Sequence, residues 1–355
     1  MTSKRIVFSS CSHEVKDVSW GYRSLHQAIV DHTAAGWDIW LDHGDHDAGQ
    51  QPPGDAEGQI VLNEFASMTP AQRASVYSIS GNHDRSGPYE PPAWWWRKYV
   101  DPMGENTAIS GMDPALRPYT VVGTWERYYF DMGNIRFLMM SDVNRPTTAA
   151  RGIRGGDPGG VISEETWEWF KDQVLSNPDK ILIVCHHYLP RETTSATGDY
   201  EGCRWDADTS GPNPRIGRYS GWIHGAGLDA KHASRLSYIG DKAAPEIIEG
   251  FLAAHPGYIA LWTGAHSHLK PGPDGAVGSK TLVEEKYGIT FANVGSLTQH
   301  HGVNGHLYPR SRLLEVNSGQ QTAQMHSYFH THTDFSDKGW WPGVRQVDLG
   351  KPVEL

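Results

Sequence analysis

Cysteine is scarce in this chain, with only Cys11, Cys185 and Cys203 among 355 residues. Three thiols cannot build a disulfide framework, so a stable fold must rest on a hydrophobic core. Long apolar runs are missing too: none approaches the roughly 20 residues of a bilayer span. The apolar segment at residues 6–10 is too short for the core of a signal peptide. These absences lead us to expect a cytoplasmic protein with no membrane segment. Positive charge is also in deficit, since 31 Lys and Arg stand against 41 Asp and Glu, a formal net charge of −10. Binding through nucleic-acid phosphates needs a basic face, so this balance counts against a nucleic-acid partner. Internal repeats, charge blocks and low-complexity linkers are absent as well, and no domain boundary stands out.

What the chain does have is core material and imidazole. Apolar residues make up 38% and charged residues 20%, which argues against wholesale disorder, and the 19 His and 14 Trp point towards metal chemistry. The first part alternates short apolar runs with helical patterns: strands at 5–9, 37–41 and 75–79, helices at 22–35 and 60–67. Such alternation implies parallel strands joined by crossover helices. In the middle, 128–131 and 135–140 flank Met132-Gly133-Asn134 as a hairpin. Ser163 suits the N-cap of a helix running to about 176. Further strands are expected at 180–185, 258–263, 289–294 and 312–316, and a helix at 245–254. Residues 85–125 and 189–241 read as long irregular insertions, and segments of that length in a compact domain tend to be functional. We expect one domain over 1–335 carrying these two insertions, with 336–355 as a C-terminal extension of no clear period.

Metal-ligand residue types recur where the expected strands end. These are Ser10-Cys11-Ser12-His13, Asp42-His43-Gly44-Asp45, Gly81-Asn82-His83-Asp84, His186-His187, and Gly264-Ala265-His266-Ser267-His268. Ligands of open α/β sheets gather beyond the carboxyl ends of the strands, so five such ends would ring a single crevice. Taken singly, Gly44-Asp45 reads as a turn and a His beside Cys185 as a core residue. Two imidazoles flanking one small residue, as in His266-Ser267-His268, can instead reach neighbouring metals.

In this order the motifs resemble the calcineurin-like metallophosphoesterase family, whose pattern is Asp-x-His, Gly-Asp, Gly-Asn-His-Asp/Glu, a strand-terminal His and Gly-His-x-His. The resemblance runs from about residue 6 to residue 296 and is complete at Gly81–Asp84. It departs at Ala265, which replaces a Gly, and at Cys11, which replaces the first Asp. A Cys there is similar to the alkaline phosphatase D-type branch, but Ala48 stands where that branch carries a Tyr. The resemblance implies an α/β sandwich of two mixed β-sheets flanked by helices. It implies two transition-metal ions, Fe, Zn or Mn, with Cys11, His13, Asp45 and His268 on one. Asp45 would bridge to the other, held by Asn82, His186 and His266. A thiolate at Cys11 favours such metals over Mg²⁺ or Ca²⁺.

The implied reaction is hydrolysis of a small phosphate ester, monoester or diester, by hydroxide held between the metals. His83 would be the general acid, with Asp84 orienting it. Arg85 and His187 are candidates for the phosphate, and Trp125 and Arg204 for the rest of the substrate. The Trp94-Trp95-Trp96 run fits a core better than a substrate wall. The 189–241 insertion could be a lid over the crevice or a homo-oligomer contact. Two competing readings stand beside this one: hydrolysis of a non-phosphate ester at the same centre, and a metal- or carbohydrate-binding protein whose catalytic site has degenerated.

Overall fold

A computed structural model describes residues 2–19, 21–48, 52–86, 89–143, 160–195, 197, 235–268, 280–299, 308–334 and 336–355, and the backbone of 205–206 and 218–219. Two seven-stranded mixed sheets lie face to face with helices on both outer sides. The first sheet runs Gly339–Trp340, Thr322–Phe329, Arg310–Asn317, Ser3–Ser9, Ile39–Asp42, Val76–Ser78, with Arg345–Asp348 also on Thr322–Phe329. Its last three strands are parallel. In the second, Ile289–Asn293, Leu261–Gly264, Ile181–His186 and Ile135–Met140 form a parallel centre. The antiparallel hairpin Arg127–Met132/Ile135–Met140 closes one side of that centre.

Strand alternation sets the layers. Ile6, Phe8, Ile39, Leu41 and Tyr77 face Phe130, Phe137 and Ile183 between the sheets, because successive side chains point to opposite faces. Their neighbours Val7, Trp40 and Val76 face outwards onto helices Ser24–Ala35 and Asp55–Phe65. On the far side Leu138, Leu182, Val184 and Trp262 meet helices Glu164–Ser176 and Pro245–Ala254. The Phe130 ring stacks between Tyr77 at 3.8 Å and Phe137 at 4.7 Å. Each such buried side chain contributes about 1.5–3 kcal/mol of hydrophobic stabilisation.

Most expected elements form. Ser163 caps its helix by accepting the Thr166 N–H, and the helix expected at 245–254 forms there. The helix expected at 60–67 begins earlier, at Asp55, where two acidic residues in the first turn suit the positive end of the helix dipole. Residues 85–125 are less irregular than the sequence suggests, holding helices Trp94–Tyr99 and Thr107–Ser110. In residues 336–355, Val347, Leu349 and Val353 are buried in the layer between the sheets. No helix among the described residues is long and apolar enough to cross a membrane.

Candidate metal centre

The loops that follow the parallel strands converge. Cys11 donates its backbone N–H to the Gly44 carbonyl at 2.8 Å, and His13 donates its own to Asp45 at 3.1 Å. Asp84 ties the second loop to the third: Oδ2 accepts the N–H groups of Asp45 and Gly81, each at 2.8 Å, and Oδ1 accepts that of His46 at 2.9 Å. The approach is close enough to require glycine. Gly44 has φ +80°, and a Cβ there would sit within 3 Å of Gly81 N, Ile79 O and the Asp84 carboxylate. A Cβ on Gly81 would strike the Asp45 side chain.

Four of the non-glycine residues with left-handed backbone are expected ligands: Cys11 (φ 51°), His13 (45°), Asp45 (63°) and His266 (58°). Such conformations cost roughly 1–3 kcal/mol each and persist where the surroundings over-determine them. Here they aim the side chains into one buried space. The thiol of Cys11 and imidazole nitrogens of His13 and His268 lie within 4.8 Å of one another, as do ligand atoms of Cys11, Asp45 and His187, and of His13, Asp45 and His83. The two Nε2 atoms of His13 and His268 are 3.3 Å apart. On the other side, Asn82 Oδ1 is 2.9 Å from His266 Nδ1, and His187 Nε2 is 3.1 Å from Asp45 Oδ2. Metal–ligand bonds of about 2.0–2.3 Å fit these spans.

The donor set fits cations in its protonation chemistry as well. His13 Nδ1 faces the Asp47 carbonyl at 2.6 Å, and His187 Nδ1 faces that of His43 at 2.6 Å. A carbonyl only accepts, so each ring donates Nδ1–H and, when neutral, turns an Nε2 lone pair towards the centre. His187 Nε2 then confronts the Asp45 carboxylate, acceptor against acceptor. A proton or a metal cation must lie between them. Without metal the proton is held: burial opposes it, but Asp45 raises the His187 pKa to about 9. Burial alone would raise the Asp45 carboxyl, yet the imidazoles of His187, His83 and His13 hold it well below the usual range. Burial and the Asp45 charge push the Cys11 thiol well up, so this thiol ionises when a cation takes the place of its proton.

At two places the geometry differs from the expected arrangement. His186 was the expected ligand of the second metal and His187 a substrate contact, but it is His187 that reaches Asp45. Ile181, Ile183 and Cys185 face the opposite sheet whereas Leu182 and Val184 face the helices. His186 falls in the second row by the pleat and His187 in the first. Buried there, the His186 imidazole has its pKa lowered to about 3. Asp84 was expected to orient His83, but both its oxygens serve backbone N–H groups of the loops. His83 is positioned instead through its own N–H, donated to Asp45 Oδ1 at 2.8 Å, with its ring 4.8 Å from that of His13.

Arg85 lies beside the centre, its Nε donating to the Asn82 carbonyl at 2.7 Å. Trp125 is half-buried and packs against Trp96 and the Arg97 guanidinium, while Trp95 and Trp96 are core. Arg204, with most of the 189–241 insertion, lies outside the described residues. Sequence reasoning passed over His46 and Asp142. The first pairs with Asp42; the second raises the His187 pKa from the end of the neighbouring strand. The density of acid and imidazole in Asp42–Asp47 was the signal for His46.

Comparison with known proteins identifies the family. A calcineurin-like phosphoesterase profile matches residues 4–270. No curated protein sequence matches significantly. Among solved structures, a purple acid phosphatase from yellow lupin (Lupinus luteus) seeds is similar at 12% identity, with 96% of this chain and 53% of that one covered and a TM-score of 0.46. The chain thus spans about half the length of the lupin protein. GAP50, the anchor in the inner membrane complex of Plasmodium, is similar at 9% identity, with 99% and 90% covered and a TM-score of 0.45. Vps29 of Chaetomium thermophilum is similar at 9% identity, with 97% and 95% covered and a TM-score of 0.35. With the donor set of a metal-dependent phosphoesterase at its strand ends, the chain belongs to the calcineurin-like phosphoesterase family.

Proposed function

We propose that the protein hydrolyses small phosphate esters, with a lean towards diesters, at a binuclear transition-metal centre of Fe, Zn or Mn. The observation that carries this reading is the place of Asp45. Its carboxylate stands among Cys11, His13, His83 and His187, close to both halves of the ligand set. Two metal ions, when bound, supply Lewis acidity and lower the pKa of water. Cys11, His13 and His268 would hold one, and Asn82, His187 and His266 the other, with Asp45 shared. Only Cys11 and Asp45 bring negative charge, so a net positive charge remains to draw in a phosphate.

The chain's own residues supply the rest. His83 is buried against His13 and can deliver a proton to the leaving oxygen. Asp84 keeps the loops in register, and Arg85, fixed by the Asn82 carbonyl, presents a guanidinium to a phosphate oxygen. The substrate is taken to be a small cytoplasmic phosphate ester rather than a nucleic acid, in keeping with the net charge of −10.

The test is metal content together with hydrolysis of p-nitrophenyl phosphate and bis-p-nitrophenyl phosphate, with and without Mn²⁺, Zn²⁺ and iron. About two metals per chain with metal-dependent turnover supports the proposal, and the two rates separate monoester from diester preference. Tightly held metal with no turnover of either ester would favour a binding or other-ester role instead.

A further inference from the structure

We propose that Asp42 and His46 form a buried brace that fixes where the Asp45 carboxylate stands, so that metal affinity depends on two residues that touch no metal. The inference rests on the reading of Asp45 as the shared ligand. Asp42 ends the strand Ile39–Asp42 and is fixed by pairing to Ser9 on one side and Ser78 on the other. The chain then leaves the sheet through Gly44 and Asp45, both with left-handed backbone. Four residues after Asp42, His46 turns back and its Nε2 meets Asp42 Oδ2 at 2.8 Å. Both side chains are buried. The Ser78 hydroxyl donates to the same carboxylate oxygen. A ring-to-carboxylate link thus closes a loop of five residues with Asp45 inside it.

His46 also ties that loop to two others. Its N–H donates to Asp84, next to His83, at 2.9 Å. Its carbonyl accepts the N–H of Glu14, next to His13, at 2.9 Å. Its Nδ1 lies 3.4 Å from the Ser12 hydroxyl. One side chain and its peptide groups therefore set Asp45 relative to the loops carrying Cys11, His13, Asn82 and His83. Asp42 and His46 are positioning residues: Asp45 is displaced if the link is lost, and the ligand atoms around it no longer lie within the span of one ion.

The test uses the full chain and Zn²⁺ as probe. Zn²⁺ affinity is measured by chelator competition, per folded protein, for wild type, Asp42→Asn, His46→Gln and the double variant. Thermal unfolding of the metal-free forms is followed in parallel. His330→Gln, which breaks a buried hydrogen bond to Asp31 elsewhere in the fold, controls for loss of stability alone. Support is a roughly 10- to 100-fold loss of Zn²⁺ affinity in each single variant, the range seen when partners of metal ligands are removed. The double variant should be no weaker than the worse single one, and His330→Gln should lose stability but not affinity. The double variant removes both partners of the link together, so it keeps the test open if a single variant fails to fold. Wild-type affinity in the folded Asp42 and His46 variants would overturn the brace while leaving the metal centre standing. A wild-type protein that binds no Zn²⁺ would overturn the reading of Asp45 and the brace with it.

Discussion

Exchanging each of the adjacent histidines for glutamine tests the reading of the second half of the centre. His187→Gln removes the Nε2 that stands 3.1 Å from Asp45 Oδ2, whereas His186→Gln changes a ring on the opposite face of the strand. Losing an outer partner of a ligand costs 10- to 100-fold in metal affinity, so losing the ligand itself should cost at least about 100-fold, or about 2.8 kcal/mol at 1.4 kcal/mol per decade. The metal-free protein should suffer as well. Asp45 loses its strongest cation, and breaking a buried pair by removing one partner typically costs about 3–5 kcal/mol. His186→Gln should keep affinity within about threefold. It should lose at most about 1–2 kcal/mol, because its imidazole is neutral and is held through Nδ1 at Tyr188. The assay pairs chelator competition on folded protein with urea unfolding of the metal-free forms. A large loss of affinity in His186→Gln with His187→Gln unaffected would refute the parity argument and restore the first histidine as ligand.

Gly44→Ala should lower stability by at least about 1–3 kcal/mol from its left-handed backbone alone. It should also weaken metal binding, because its Cβ would push the second and third loops apart; urea midpoints and Zn²⁺ titration report both. Acid should weaken the fold through a relay away from the centre, in which Asp31 accepts from His330, and Ser311 bridges His330 at 2.9 Å and His32 at 2.6 Å. Burial lowers the pKa of both histidines below 6.5, most of all for His32. Their contribution is therefore intact above about pH 6.5 and lost as pH falls towards the folded-state values. Unfolding midpoints between pH 7.5 and 5 should fall, and fall less in His330→Gln; equal slopes would remove the relay from the account. Chelation should lower the melting temperature of the metal-loaded protein. At a hundredfold excess over Kd each site adds about 2.7 kcal/mol, or roughly 4 °C for a chain this long, and an unchanged melting curve after chelation would count against resident metals.

The sandwich was legible because its elements announce themselves locally. Residues 137–140 and 181–185 are continuous apolar runs, as strands buried on both faces tend to be. Glu164–Ser176 carries its N-cap and its apolar stripe. The last strands were hidden for the opposite reason. Thr322–Phe329 buries alternate positions, but these include Ala323 and Ser327 and its other face holds Gln324, His326 and Tyr328, so the apolar alternation is faint. Arg345–Asp348 buries only Val347. At the centre, the residue types and their order were legible from the motifs, but which of two adjacent histidines turns inward depends on strand phase. That phase is not legible in a run apolar on both faces, and is set only where Ile181, Ile183 and Cys185 pack towards the opposite sheet and Leu182 and Val184 towards the helices. The task of Asp84 is not legible either, because three backbone amides from two loops meet there only once the chain has folded.

The same contacts explain why this centre calls for positive charge whatever its substrate. One carboxylate, Asp45, is enclosed with the rings of His13, His83 and His187 and with a thiol that burial keeps protonated. Carbonyls of Asp47 and His43 fix two of those rings with their Nε2 lone pairs inward. Neutral histidines therefore leave lone pairs facing lone pairs, and protonated ones crowd positive charge into a buried space. Left-handed backbone at Cys11, His13, Asp45 and His266 adds strain that no core contact requires. Cations small enough to sit between these donors relieve both conflicts: they take up the inward lone pairs and let Cys11 ionise as it binds. The strand ends thus form a locally frustrated arrangement on a well-packed sandwich. Its stability and its chemistry then depend on the same ions, and a brace that sets the place of Asp45 would act on both.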